Sequence, residues 1–209
     1  GGSVYDYSIE NSVRMSDANN TTLQWTAGTP SNGSIFTMSV WMKKYNPSGG
    51  QATNEFFSSG PNGVSYMFIS FNSNQRFYFD GGVGQGDLFW GSGRRFRDPN
   101  AWFHLVIRGD TTQSTQTDRI KLYLNGEDIT SEASTNNMAA SAFLYINASG
   151  QSQNWGGKSS VANANPGCDY YLADINFCDG QSYAPTEFGE TKNGVWVPKD
   201  PSVTYGNNG

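Results

Sequence analysis

Few residues in this chain have types that could carry covalent chemistry, and their spacing decides between catalysis and recognition. His104 is the only histidine. It follows Trp102-Phe103 in an alternating run, and no Ser or Cys stands at a nucleophile elbow, so it reads as a core or sheet-face histidine. Asp169 and Asp174 are the nearest pair of carboxylates on one predicted strand. Acids that act together as nucleophile and acid/base converge to about 5 Å, whereas an odd spacing on a pleated strand sends two side chains to opposite faces. Cys168 and Cys178 bracket residues 169–177, which read as one continuous strand. At about 3.3 Å per residue their Cα atoms stand about 30 Å apart, beyond the roughly 7 Å reach of a disulfide. Both are expected as free thiols, and with one histidine they make no zinc site. Gly82-Val83-Gly84-Gln85-Gly86 has the glycine density of a phosphate loop. It runs into Asp87-Leu88-Phe89-Trp90, however, and not into a helix whose N-terminus could face an anion.

Recognition is the better-supported chemistry. Sugars are held by aromatic rings stacked on their C–H faces and by amide, hydroxyl and carboxylate groups that fix orientation, and loops at the end of a β-sandwich offer such groups. Trp90 and Trp155 are the candidate rings. Trp155 lies in Gln151-Ser152-Gln153-Asn154-Trp155-Gly156-Gly157, a polar stretch with no periodic reason for a large ring, and reads either as a stacking residue or as a loop anchor. Arg94 and Arg95, in Arg94-Arg95-Phe96-Arg97, place cations beside aromatics. They suit an anionic glycan, or else a solvated loop paired locally with Asp87 or Asp98.

The elements that must position these residues are short strands. Trp102-Phe103-His104-Leu105-Val106-Ile107-Arg108 and Ile120-Lys121-Leu122-Tyr123-Leu124 alternate at period two, and Asn125-Gly126 supplies a tight turn because both residues accept positive φ. Further strands are predicted at 12–15, 23–26, 36–43, 55–58, 64–71, 76–79, 88–90, 143–146, 170–177 and 195–197, with Gly-, Asn- and Pro-rich turns between them. In 36–43, Phe36, Met38, Val40 and Met42 share a face, which predicts a half-buried strand packed on a second sheet, with Trp41 against a further layer. Residues 185–189 predict a helical turn, Pro185 opening it and Gly189 ending it.

Composition sets the class. The 209 residues, 36% hydrophobic and 14% aromatic, suffice for one core, and the 25 glycines favour an all-β sandwich over helical bundles. A single domain over 1–209 is expected. The formal charge of −5 argues against general affinity for nucleic acid or anionic membranes. No apolar run reaches a membrane span, and Gly1-Gly2-Ser3-Val4-Tyr5 lacks the apolar stretch of a signal peptide, so no membrane insertion is expected. The ending Gly206-Asn207-Asn208-Gly209 reads as a turn leading into another strand, as in a piece excised from a longer protein.

The run Phe36-Thr37-Met38-Ser39-Val40-Trp41-Met42-Lys43, the 102–107 and 120–126 segments and Tyr171-Leu172-Ala173-Asp174-Ile175-Asn176-Phe177 together resemble the concanavalin A-like, laminin-G-like jelly-roll domains. The opening Tyr7-Ser8-Ile9-Glu10-Asn11-Ser12-Val13-Arg14, the Asp110-Thr111-Thr112-Gln113 connector and the ending from Phe177-Cys178-Asp179-Gly180 through Glu187-Phe188-Gly189-Glu190 to Gly194-Val195-Trp196-Val197-Pro198-Lys199 resemble, more narrowly, laminin-G-like proteins of aquatic bacteriophages. The resemblance implies a two-sheet antiparallel jelly-roll and a virion appendage or tail-fibre component, made in the bacterial cytoplasm and displayed on the virion surface. Its implied partners are a host-surface glycan or other virion proteins, with homo-oligomers in the intact particle. The family also holds glycoside hydrolases, whose Glu-x-Asp-x-x-Glu strand motif is missing here, so the expectation is a non-enzyme. The alternatives are a purely structural decoration or assembly module, a secreted carbohydrate-binding module and a degenerate hydrolase. Calcium is the one cofactor the resemblance suggests, with Asp174 at a position often acidic in the fold.

Overall fold

Alternating apolar residues and frequent turns produce an all-β molecule, seen in a computed structural model that describes residues 7–16, 21–45, 53–61, 65–72, 74–81, 90–91, 93–135, 137–142, 144–156 and 169–209. In chain order the strands are β1 (Val13–Met15), β2 (Leu23–Thr26), β3 (Ile35–Lys44), β4 (Thr53–Ser59), β5 (Met67–Asn72), β6 (Phe77–Gly81), β7 (Trp90–Gly91), β8 (Phe103–Asp110), β9 (Ile120–Leu124), β10 (Glu127–Asp128), β11 (Ser152–Trp155), β12 (Tyr170–Asp179), β13 (Gly189–Lys192) and β14 (Val195–Pro198). One sheet has the order β1-β12-β3-β8-β9-β10, the other β2-β11-β4-β5-β6-β7, and β13-β14 form a separate hairpin. Neighbouring strands pair antiparallel throughout. This is the expected jelly-roll sandwich. Asn125 (φ 48°) and Gly126 (φ 81°) make the tight turn between β9 and β10, and Pro185–Glu187 forms the expected helical turn, of the 3-10 type.

The core lies between the two sheets. Phe36, Met38, Val40 and Met42 of β3 meet a phenylalanine-rich inner face built from Phe56, Phe57, Phe71, Phe77 and Phe79. Phe56 and Phe57 are adjacent yet both fully buried, because a register shift between Glu55 and Phe57 turns two consecutive side chains inward. The rings meet edge-on or tilted, as at Phe71 and Phe77 (6.0 Å, 77°).

Three expectations require correction. β3 is buried on both faces, not half-buried: Thr37, Ser39 and Trp41 are covered as fully as Phe36 and Met38. The C-terminal segment lies over the outer face, where Thr37 Oγ1 donates to the Gln181 carbonyl (2.7 Å) and accepts from Tyr183 N–H (2.8 Å). Residues 144–146 form turns and not a strand, although Leu144 and Ile146 are buried. The strand is β11, inside the polar stretch read as a loop. Its Gln153 and Asn154 are buried because their amides donate to the carbonyls of Tyr145 (3.1 Å) and Ser58 (3.3 Å). Val64, Phe143, Cys168 and the glycine loop 82–86 lie outside the described residues. Cys178 is a buried free thiol, and burial pushes it up to about 12.

One end of the sandwich is closed around a carboxylate. Asp179 Oδ2 accepts from the backbone N–H groups of Ser31 (2.6 Å), Asn207 (3.2 Å) and Asn208 (3.3 Å), and Oδ1 from Asn32 N–H (3.3 Å) and the Asn147 amide (2.5 Å). Burial pulls this carboxyl upward, but the donors outweigh it and hold it below the ordinary aspartate value. Residues 206–208, expected to lead outward into a strand, are thereby tied to the loop after β2.

Lys44 is the costly residue in this core. It is 1% exposed, its ammonium donates to Gln75 Oε1 and stands 4.8 Å over the Phe71 ring, and burial pulls it down to about 8. Between pH 8 and 10.5 the unfolded chain keeps a proton that native Lys44 has released, so stability rises with pH across that window, by about 3 kcal/mol. Lys44→Met should raise stability at pH 7 by about 2 kcal/mol and flatten the alkaline rise, as read by urea unfolding at pH 7 and pH 10. A lower midpoint at pH 7 would mean that the Gln75 and ring contacts outweigh the buried charge.

Candidate functional site

Strand parity places two tryptophans on the outer face of the first sheet. Trp41 pairs with His104 across β3 and β8, and with Ala173 across β3 and β12. Trp102 immediately precedes β8, where Lys43 Nζ sits 5.9 Å from its ring. Trp41, Trp102 and Ala173 line a groove of about 640 Å³ whose other sides are residues 7–12, Val197 and Pro198. Trp102 is 39% exposed, the most accessible tryptophan among those with described side chains. A half-exposed indole beside a second, buried indole is the geometry on which a sugar ring stacks.

Beside the groove, β12 carries an extra residue. Ala173 faces Trp41 and Asn176 faces Ser39, so Asp174 and Ile175 together oppose Val40, and Asp174 takes φ 47°. Asp174 Oδ1 accepts from Tyr7 Oη at 3.4 Å, while Oδ2 is buried with no partner, as is Trp41 Nε1. Burial raises the Asp174 carboxyl above the usual aspartate value, outweighing the Asn176 and Tyr7 side chains that lower it, and the charge of Asp200 adds to the rise.

His104 anchors the layer behind the groove. Its ring stacks on Trp41 (4.9 Å, 14°) and faces Trp196 of β14 (6.0 Å, 19°). Trp196 Nε1 donates to His104 Nδ1 at 3.0 Å, so Nδ1 is unprotonated and the proton sits on Nε2, which donates to Ser39 Oγ at 2.8 Å. Burial pulls the imidazole down to about 3, and both nitrogens are engaged, which agrees with a structural histidine.

The residues proposed from sequence are not brought together. Trp155 is 3% exposed, wedged against Phe56 (6.4 Å) and Phe57 (5.2 Å) inside the core, so it has no face for a sugar, and the stacking reading is corrected. Trp90 pairs with Phe79 at the far edge of the second sheet. Arg94 donates to both oxygens of Glu127 (2.7 and 3.0 Å) and to Glu132 (2.5 Å), while Asp87, one of the acids expected beside it, lies outside the described residues. The Glu127 and Glu132 hydrogen bonds drive it above the ordinary arginine value. Arg95 is exposed. Asp169 accepts from Tyr45 Oη (2.8 Å) and shares no described partner with Asp174. Asp174 adjoins the groove; among the described residues no group of three or more His, Cys, Asp or Glu could hold a metal ion. Among the described residues no helix is long and apolar enough to cross a membrane. The groove was missed because Trp41 and Trp102 were read strand by strand; their shared outward parity was the available signal.

A family model described as the concanavalin A-like lectin/glucanases superfamily, laminin G type, matches residues 17–161. No curated protein matches the chain in sequence. The fold is similar to that of domains LG4-5 of the mouse laminin alpha1 chain (8% identity, TM-score 0.55), covering 85% of this chain and 48% of that one. It is similar also to the LG1-3 region of the laminin alpha2 chain (12%, TM-score 0.56), covering 81% and 31%. A native heptameric SAP-like pentraxin from Limulus polyphemus is a third (12%, TM-score 0.54), covering 78% and 71%. The chain thus spans about half and about a third of the two laminin structures.

Between pH 3 and 6.5 the unfolded chain binds a proton that native His104 refuses, so this residue lowers stability as pH falls through that window. His104→Gln should cost about 1–3 kcal/mol at pH 7 and make the loss between pH 6.5 and 4 shallower than in the parent protein, as read by urea midpoints across that range. An acid limb of unchanged slope would show that His104 is not the buried neutral base.

Proposed function

The chain belongs to the concanavalin A-like lectin/glucanase superfamily, and from that membership we propose that it is a non-enzymatic binding domain of a phage virion appendage, recognising a glycan on the host surface. The groove beside Trp102 carries this reading, because it offers an accessible indole, a second indole in the same lining and polar groups at the margin. The virion setting is supported by the ordered run of motifs shared with bacteriophage laminin-G-like proteins. The non-enzymatic reading is supported by the missing Glu-x-Asp-x-x-Glu motif and by the engagement of both His104 nitrogens.

Docking on neighbouring virion proteins is the second reading, favoured by Leu23, Val195 and Tyr205, which are large apolar or aromatic side chains left exposed. Homo-oligomers of the particle-bound domain belong to that reading.

Polysaccharide extracted from host cells should bind the purified domain saturably and without release of reducing ends. Trp102→Ala should weaken that binding about tenfold or more and leave the melting temperature within a few degrees, since the ring is partly exposed. Sugar release would overturn the non-enzymatic reading, and no binding to any host extract would move the function to virion assembly.

A further inference from the structure

A polar mismatch stands at the edge of the groove, whose lining includes Trp41 and Ala173 and which Asp174 adjoins. Trp41 Nε1, a donor, and Asp174 Oδ2, an acceptor, are both buried and unpaired, and Trp41 as a residue is only 7% exposed. A buried polar atom without a partner is costly, so two of opposite character at one groove call for a ligand that supplies both complements. Residues 7–12 line the groove beside Trp41, and Tyr7 reaches Asp174 through one long hydrogen bond of 3.4 Å. The segment has no regular structure, and Ser8, Glu10, Asn11 and Ser12 are exposed. It shares the groove lining with Trp41 and satisfies neither atom.

We propose that the groove binds an uncharged pyranoside, which displaces residues 7–12, stacks on Trp102, accepts a hydrogen bond from Trp41 Nε1 and donates a hydroxyl to Asp174 Oδ2. A hydroxyl-bearing ring is both acceptor and donor, so it matches the pair. The charge at the margin selects against acidic sugars: Glu10 lines the groove and Asp200 acts on both Tyr7 and Asp174, with Lys43 a cation near the Trp102 ring (5.9 Å). Tyr7 therefore competes with ligand, and residues 7–12 set the affinity. This rests on the glycan-binding reading and deepens it.

The test follows the indole N–H signals of the whole chain by NMR, assigned with Trp41→Phe and Trp102→Phe. The probes are hexasaccharides of glucose, mannose, galactose and N-acetylglucosamine at up to 10 mM, with oligogalacturonate and sialyllactose as acidic counterparts. At least one neutral hexasaccharide should move the Trp41 and Trp102 signals together. Trp41→Phe, which keeps an aromatic ring but removes the N–H together with the five-membered part of the indole, should weaken that ligand about tenfold, and Tyr7→Phe should tighten it two- to fivefold. Circular dichroism confirms that each variant is folded. Preference for the acidic probes, no response to any neutral one, a neutral ligand that leaves the Trp41 signal unmoved, or unchanged affinity in both Trp41→Phe and Tyr7→Phe would overturn the inference. Host polysaccharide that still binds through Trp102 in any of those cases leaves the proposed function standing, whereas loss of that binding as well removes both.

Discussion

The constraint on which this molecule rests is the need to bury both faces of its first sheet. A sandwich of two sheets ordinarily leaves its outer faces to water, yet here the outer face of β3 and β8 carries Ser39, Trp41, His104 and Val106, all buried. The ladder Trp41–His104–Trp196 makes that possible. Stacking supplies apolar contact, the hydrogen bonds to Nδ1 and Nε2 satisfy the imidazole, and the hairpin β13-β14 is held against the sheet by its own indole. The fit is close: a Cβ at Gly126 or at Gly189 would enter the Trp196 ring, so the turn after β9 and the start of β13 need glycine for space, and Gly126 needs it for its positive φ as well. Phe188 and Val106 continue the layer with Cys178, as a small second core.

The end of the chain is fixed by a different kind of force. Asp179 collects five donors from three separate segments, and the Asn208 side chain adds a two-way pair with the backbone of Gly28 (2.8 and 3.2 Å) and a bond to Asn147 (2.7 Å). A carboxylate so enclosed is stable only while every donor stays in place, because the desolvation it suffers is offset by their sum. The third layer is thus held at one end by aromatic stacking on β8 and at the other by an anion in a ring of amides.

How much of this was legible in sequence depended on whether burial was achieved by apolar side chains. β3, β8 and β9 were read directly, since Phe36, Met38, Leu105, Ile107 and Leu122 alternate in the open. β11 was not, because its strand character is hidden behind Gln153 and Asn154, whose amides bond to carbonyls that only the folded chain supplies. Trp155, judged by its polar neighbours, was for the same reason read as a stacking residue or a loop anchor, whereas it lies on β11 inside the core. β13 escaped as well, having no apolar residue in Gly189-Glu190-Thr191-Lys192. Arg94 pairs with Glu127 and Glu132, more than thirty residues away, where local spacing gives no hint.

The position of the groove follows from the bulge in β12. Ala173 must face outward to lie beneath Trp41, and Asn176 must also face outward to accept from Tyr205 Oη at 2.7 Å, which seats the C-terminal segment. Those residues are three apart, and on a regular strand an odd separation would send one of them into the core. An extra residue restores the parity for both, and Asp174 pays with a left-handed backbone and a carboxylate at the margin of the covered face. The bulge is therefore what allows one strand to serve the cover and the groove together. A ligand drawn to Asp174 would act on the same backbone that seats Tyr205, which ties occupancy of the groove mechanically to the packing of the third layer.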